Sequence, residues 1–125
     1  MVLQNADGAH RSFNEYVEVI RRNDAAIGEL RDVILADEEL RETTAMFVLP
    51  EFGRDRDLNS RRGLDHGDGS DDLRLISGVA WGPDFRRGKT VDQEQRVIDF
   101  ASTVTNLLGA QAKHSRGRVL RGLYA

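Results

Sequence analysis

Residues 44–81 read TAMFVLPEFGRDRDLNSRRGLDHGDGSDDLRLISGVAW, in which two apolar runs flank a long polar segment. "TAMFVL" (44–49) is a short, continuous apolar run closed by Pro50, which is typical of a buried strand. "LRLISGVAW" (73–81) is a second such run, in which Gly78 marks a bulge or a close approach. We therefore predict two strands, each buried on both faces, with a long polar loop between them.

The predicted loop, residues 51–72, is long and highly charged. It contains seven acidic residues, four arginines, and one histidine that follows an aspartate. Long loops without secondary structure are uncommon in compact domains, and they are usually functional or disordered. One interpretation is a metal or phosphate site, because hard cations prefer carboxylate oxygens and zinc or manganese also accept an imidazole. The other is a solvated loop whose opposite charges pair weakly. Composition alone leaves both open.

Helical patterns lie on both sides of this strand–loop–strand unit. Apolar residues recur at helical spacing over 13–35, and Ser12 with Glu15 has the sequence of a capping box, so we predict a first helix there. A short helical turn is expected over 37–42. A second helix is predicted over 92–108. The order helix, strand, loop, strand, helix predicts an α/β layer.

The predicted sheet is incomplete. Two strands alone leave two open edges, which invite pairing with another chain. The tail, residues 117–125, adds at most one short element, and Gly109 is placed as the C-cap that ends the second helix. We therefore expect a homo-oligomer, or a partner chain whose strands complete the sheet.

The composition of the whole chain limits the classes of function. A length of 125 residues predicts one domain, 1–125. The net charge of −3 makes nucleic acid a poor partner, and the absence of cysteine excludes disulfides and thiolate metal sites. No apolar stretch is long enough to cross a membrane, and the N-terminus lacks the pattern of a signal peptide, so a cytoplasmic location is the default expectation.

Other polar and aromatic residues give weaker signals. We predict that His10 and His114 are exposed residues of the terminal regions, and that Trp81 belongs to the core or to an interface. The aspartate spacing in "DHGDGSDD" does not fit an EF-hand loop, which also requires a closing glutamate. The arginines of the loop lack interleaved aromatic residues, which argues against a groove for single-stranded nucleic acid.

The order of five segments resembles the C-terminal part of the alkaline phosphatase superfamily, which includes sulfatases and related metallohydrolases. These segments are "YVEVIRRNDAAIGELRDVI", "TTAMFVLPEFGRD", "LDHG", "LRLISGVAWGPDFRRGKTV" and "RVIDFASTVTNLLGA". The resemblance covers about residues 13–123. It is closer to a bacterial branch of the superfamily in which Glu-Phe-Gly-Arg is followed by an asparagine and an Asp-His pair. It implies a partial three-layer sheet with flanking helices, of which this chain supplies two or three strands.

The resemblance also assigns candidate site residues. It implies that Glu51, Asp65 and His66 bind a divalent metal, which could be zinc, manganese, calcium or magnesium, and that Arg54 and Asn59 bind substrate or an anion. For this, the loop must fold back so that His66 approaches the end of the first strand. Gly63 and Gly67 would supply the permissive backbone at that return.

The nucleophile that the superfamily uses is missing from this part of the chain. The resemblance places that serine or threonine, and the first metal-binding aspartate, in an N-terminal half that these residues do not match. Ser12, Thr43 and Thr44 are poor replacements, because they are cap or strand-entry residues without a base or a metal beside them.

Two functions follow from these observations. The first is a metal-dependent hydrolase-like domain of the phosphatase or sulfatase type, which is truncated or needs a partner chain for activity. The second is a non-catalytic assembly or binding module that keeps the half-fold. The sequence determines neither the substrate nor whether any catalysis remains.

Overall fold

A computed structural model describes residues 5–92 and 94–125. Its helices are α1 (Phe13–Ala36), α2 (Glu38–Thr43) and α3 (Val97–Leu107). Its strands are β1 (Met46–Val48) and β2 (Val79–Trp81), and three short 3₁₀ helices cover Ala6–His10, Asp71–Leu73 and Arg121–Leu123. The result is a mixed helix and strand fold, which agrees with the coarse α/β expectation. No helix among the described residues is long and apolar enough to cross a membrane.

The helix α1 follows its sequence signals closely. The Ser12 side chain accepts a hydrogen bond from the backbone N–H of Glu15 at 3.4 Å, which caps the first turn. The reciprocal half of the expected capping box is absent, because the Glu15 carboxylate pairs with Arg11 instead. The next helix, α2, begins after Asp37, whose carboxylate accepts from the N–H groups of Glu39 and Leu40 at 2.9 Å.

The sheet is smaller and less buried than the sequence predicts. β1 and β2 pair antiparallel, with Met46 opposite Trp81. Residues 73–78 are not a strand, and that part of the prediction is wrong, because no neighbouring strand pairs with them. The prediction of burial on both faces is also wrong: β1 is only half-buried, and Val79 is 65% exposed.

The C-terminal tail packs on α3 through buried polar groups. The carboxylate of Asp99, which is 1% exposed, accepts from the backbone N–H groups of Arg118 at 2.8 Å and of Arg96 at 2.9 Å. Burial alone would raise the Asp99 pKa, but these N–H groups and the two arginine charges outweigh it and lower the pKa. The side-chain oxygen of Thr103, which is also fully buried, accepts a hydrogen bond from the backbone N–H of Leu120 at 2.9 Å. This network explains why α3 begins at Val97 and not at 92.

The apolar core is thin. Among the described residues, the buried apolar side chains are those of Ala9, Val19, Ile34, Phe85 and Leu120. Phe85 packs edge-on against Phe47, with ring centroids 5.1 Å apart. The accessible surface of the chain is 9640 Å². A self-sufficient monomer of 14.0 kDa exposes about 6,700 Å². The chain therefore carries far more exposed surface than a finished domain of its mass.

Candidate functional site

The charged loop, residues 51–72, folds back on itself. The N–H of Asp55 donates to the carbonyl of Asp65 at 3.0 Å, and the N–H of Asn59 donates to the carbonyl of Gly63 at 2.8 Å. The ring of His66 then lies 4.8 Å from the ring of Phe52. His66 is thus brought close to the end of β1, as the sequence analysis required of a shared site.

The tip of the loop is fixed by a close backbone approach at Gly63. A Cβ at this position would lie 2.2 Å from the carbonyl oxygen of Ala9, so only glycine fits. The N–H of Leu64 donates to that same oxygen at 2.7 Å. The left-handed conformation falls on Arg62, with a φ of 61°, and neither Gly63 nor Gly67 has a positive φ. The prediction that these glycines supply permissive backbone is therefore wrong, and Gly63 serves close approach instead. A Cβ at Gly67 would meet nothing within 4 Å.

Several acidic side chains of the loop act as acceptors for backbone N–H groups. One oxygen of Asp55 accepts from Gly67 at 2.8 Å and from Asp68 at 3.2 Å. Asp68 in turn accepts from the N–H of Ser70 at 2.7 Å. This loop has no strand or long helix in which its backbone N–H groups could be paired. These carboxylates accept hydrogen bonds from the N–H groups instead. Part of the acidic content is therefore structural.

His10 joins the loop from the N-terminal region. Its Nδ1 lies 2.6 Å from Oδ1 of Asp65, and its ring meets the ring of His66 edge-on at 4.9 Å. The prediction that His10 is an exposed terminal residue is wrong, since its side chain is only 28% exposed. Nothing in the local sequence could have revealed this contact, because it joins residues far apart in the chain.

The environment of Asp65 favours the ionised carboxylate. The hydrogen bond from His10 is the main cause that lowers the Asp65 pKa, and the guanidinium of Arg61, 3.9 Å away, adds to it. A carboxylate only accepts hydrogen bonds, so His10 donates from Nδ1. Arg54 only donates, and its Nη1 lies 3.4 Å from Nε2 of His10. The Nδ1 side of His10 therefore faces Asp65, and its Nε2 side faces the guanidinium of Arg54.

The two predicted anion-binding residues are engaged within the chain. Arg54 donates to the carbonyl of Ala6 at 3.0 Å and lies over the ring of Tyr16, 5.6 Å from its centroid. The amide of Asn59 donates to the carbonyl of His10 at 3.1 Å, and its oxygen accepts from Gly63 at 3.0 Å. Both side chains hold the N-terminal segment against the loop.

The three predicted metal ligands are only partly assembled. Asp65 and His66 are adjacent, whereas Glu51 is exposed and its side chain makes no hydrogen bond to the described residues. Within residues 5–92 and 94–125, no group of three or more potential ligands is arranged to hold a metal ion.

The chain was compared with known proteins in three ways. No family model, no curated protein and no solved structure matches it.

Proposed function

We propose that the chain is the metal-loop half of a phosphatase- or sulfatase-type hydrolase domain, and that another polypeptide must complete it before it can act. The observation that carries this proposal is the return of the loop, which brings the ring of His66 to 4.8 Å from the ring of Phe52, shortly after β1 ends. Asp65, held by His10, and the exposed His66 would supply an oxygen and a nitrogen donor at this return. A divalent ion there would act as a Lewis acid on an ester oxygen.

The proposal includes the finer fold. The two antiparallel strands would be the edge of a larger three-layer sheet whose remaining strands come from the completing polypeptide. The large exposed surface supports this, as do the exposed apolar side chains near β2 and α3. Leu75 is 73% exposed, Val79 65% and Leu108 78%. A completing polypeptide that packs on this side of the chain would cover them.

The roles of this chain's own residues follow from their contacts. His10 holds the Asp65 carboxylate ionised and oriented, and Asn59 fixes the N-terminal segment that carries His10. Arg54 lies beside Nε2 of His10, so a positive charge borders the edge where an anionic ester would bind. Among the residues that the structure describes, we assign no nucleophile, so covalent transfer would depend on the completing polypeptide.

The test is turnover by the isolated chain. We expect no hydrolysis of an aryl phosphate or an aryl sulfate with zinc, manganese, magnesium or calcium. Metal-dependent turnover that is lost in His66→Ala and kept in His114→Ala would contradict the need for a second polypeptide. It would mean that a residue of this chain serves as the nucleophile.

A non-catalytic assembly or binding module is the second candidate. The observation that favours it is the structural use of Asp55 and Asp68, which shows that acidic residues of the loop have a role without any metal. If the exposed surface serves assembly alone, substitution of Asp65 or His66 will leave complex formation and metal response unchanged.

A further inference from the structure

Helix α1 leaves a second stripe of residues open besides the apolar residues that it buries, and this stripe has an apolar residue at each end and two opposite charges between them. Val19 and Ile34 face the core, at 2% and 7% exposure. A different face, made of residues at helical spacing, remains open: Ile20, Asp24, Gly28, Arg31 and Leu35. Ile20 is 46% exposed and Leu35 is 39% exposed. The arrangement of apolar and charged residues along the stripe, rather than their exposure alone, is what a partner helix would have to match.

This stripe is symmetric in sequence about the Ile27–Gly28 peptide. Asp24 and Arg31 lie at equal distances on its two sides, and so do Ile20 and Leu35. If a second copy of α1 lies antiparallel across this point, Asp24 of each copy faces Arg31 of the other. The apolar Ile20 of each copy then faces Leu35 of the other. A twofold interface requires self-complementarity of this kind.

Gly28 stands at the centre of the proposed crossing. A Cβ there would meet nothing within 4 Å, so the fold of the single chain gives no steric reason for glycine. Glycine inside a helix lowers stability relative to alanine by about 0.5–1 kcal/mol. If the backbone of a second helix approaches closely at this position, the lack of a side chain at Gly28 has a structural reason.

The exposed surface is large enough for such a pair. The chain exposes 9640 Å², more than about 2,500 Å² above the expectation for its mass. A stable interface needs about 800 Å² from each partner. Next to the stripe, an apolar groove of about 310 Å³ is lined by Phe13, Tyr16, Val17, Ile20, Arg21 and Asp24, and it continues the surface toward the start of α1.

We propose that the open stripe of α1 is the interface of a twofold dimer, in which a second copy of this chain packs antiparallel with Asp24 opposite Arg31. This inference does not depend on the metal loop. The stripe on α1 is made of different residues from the exposed apolar side chains near β2 and α3, so a dimer leaves those free for a completing polypeptide.

Sedimentation velocity of the full chain over a range of concentrations tests the dimer. We expect a species of twice the 14.0 kDa chain mass. Because the interface is twofold, each single variant, Asp24→Arg or Arg31→Asp, places two pairs of like charges opposite each other. Each should weaken association at least about tenfold. The double variant Asp24→Arg, Arg31→Asp restores the opposite charges and should restore the dimer.

Two further variants separate association from folding. Gly28→Leu has room within a single chain but blocks the close approach, so it should give a folded monomer by circular dichroism. Glu29→Arg changes an exposed charge on the opposite side of the helix and should leave the dimer intact. A monomer at all concentrations would overturn the proposal. So would single charge reversals that do not weaken the dimer, or a double swap that fails to restore it.

Discussion

The Nδ1 atom of His10 lies 2.6 Å from Oδ1 of Asp65, although 55 positions separate the two residues in the chain. This contact joins the segment before α1 to the charged loop. The imidazole of His66 lies beside the ring of His10. Together with Gly63 against Ala9, it decides where the loop stands relative to the end of β1.

The contact between His10 and Asp65 should make stability depend on pH. The Asp65 pKa is lowered in the folded chain, so ionised Asp65 stabilises the fold above its unfolded pKa, near 3.9. This contribution is lost as the pH falls through the folded pKa. We expect Asp65→Asn to lower the thermal midpoint at pH 7 and to have little effect at the lowest pH at which the chain stays folded.

Two controls make this measurement specific. Asp57→Asn removes a carboxylate of the same loop that is exposed and makes no hydrogen bond to the described residues, so it should have little effect at any pH. In His10→Ala, the Asp65 pKa should move up toward its ordinary value, as measured by carboxyl NMR. An Asp65 pKa that is unchanged in His10→Ala would show that the contact does not hold the carboxylate.

Gly63 and Gly67 provide a matched pair for the loop. Gly63→Ala forces a Cβ against the carbonyl of Ala9, so the N-terminal segment and the loop must separate. We expect a loss of about 1–3 kcal/mol in the free energy of unfolding. Gly67→Ala has open space and should be close to neutral. Equal effects in chemical denaturation would mean that the loop does not pack against Ala9.

Asp99 should matter for the attachment of the tail. Asp99→Ala leaves the N–H groups of Arg96 and Arg118 without their buried acceptor, and we expect a cost of about 2–3 kcal/mol. Because the Asp99 pKa is lowered, this difference from the parent chain should shrink as the pH falls below about 4. Urea unfolding at two pH values measures it, and an equal difference at both would contradict the assignment.

Local signals in the sequence predicted the helices well. Ser12 capped α1, and Gly109 ended α3 with a φ of 70°. The predictions failed where the outcome depended on distant residues. The apolar run at 73–78 found no strand to pair with. We predicted that His10 is exposed, because no residue near it in the sequence indicates a contact with Asp65.

We propose that Asp65 and His66 form one side of a divalent-metal site at the return of the loop, beside Phe52. The most direct measurement is the thermal midpoint of unfolding as zinc or manganese is added at neutral pH. Ligand that binds only the folded chain raises the midpoint by mass action. We predict a rise in the parent chain and in His114→Ala, and none in Asp65→Ala or His66→Ala. No rise at millimolar metal, or an equal rise in all four proteins, would contradict the account.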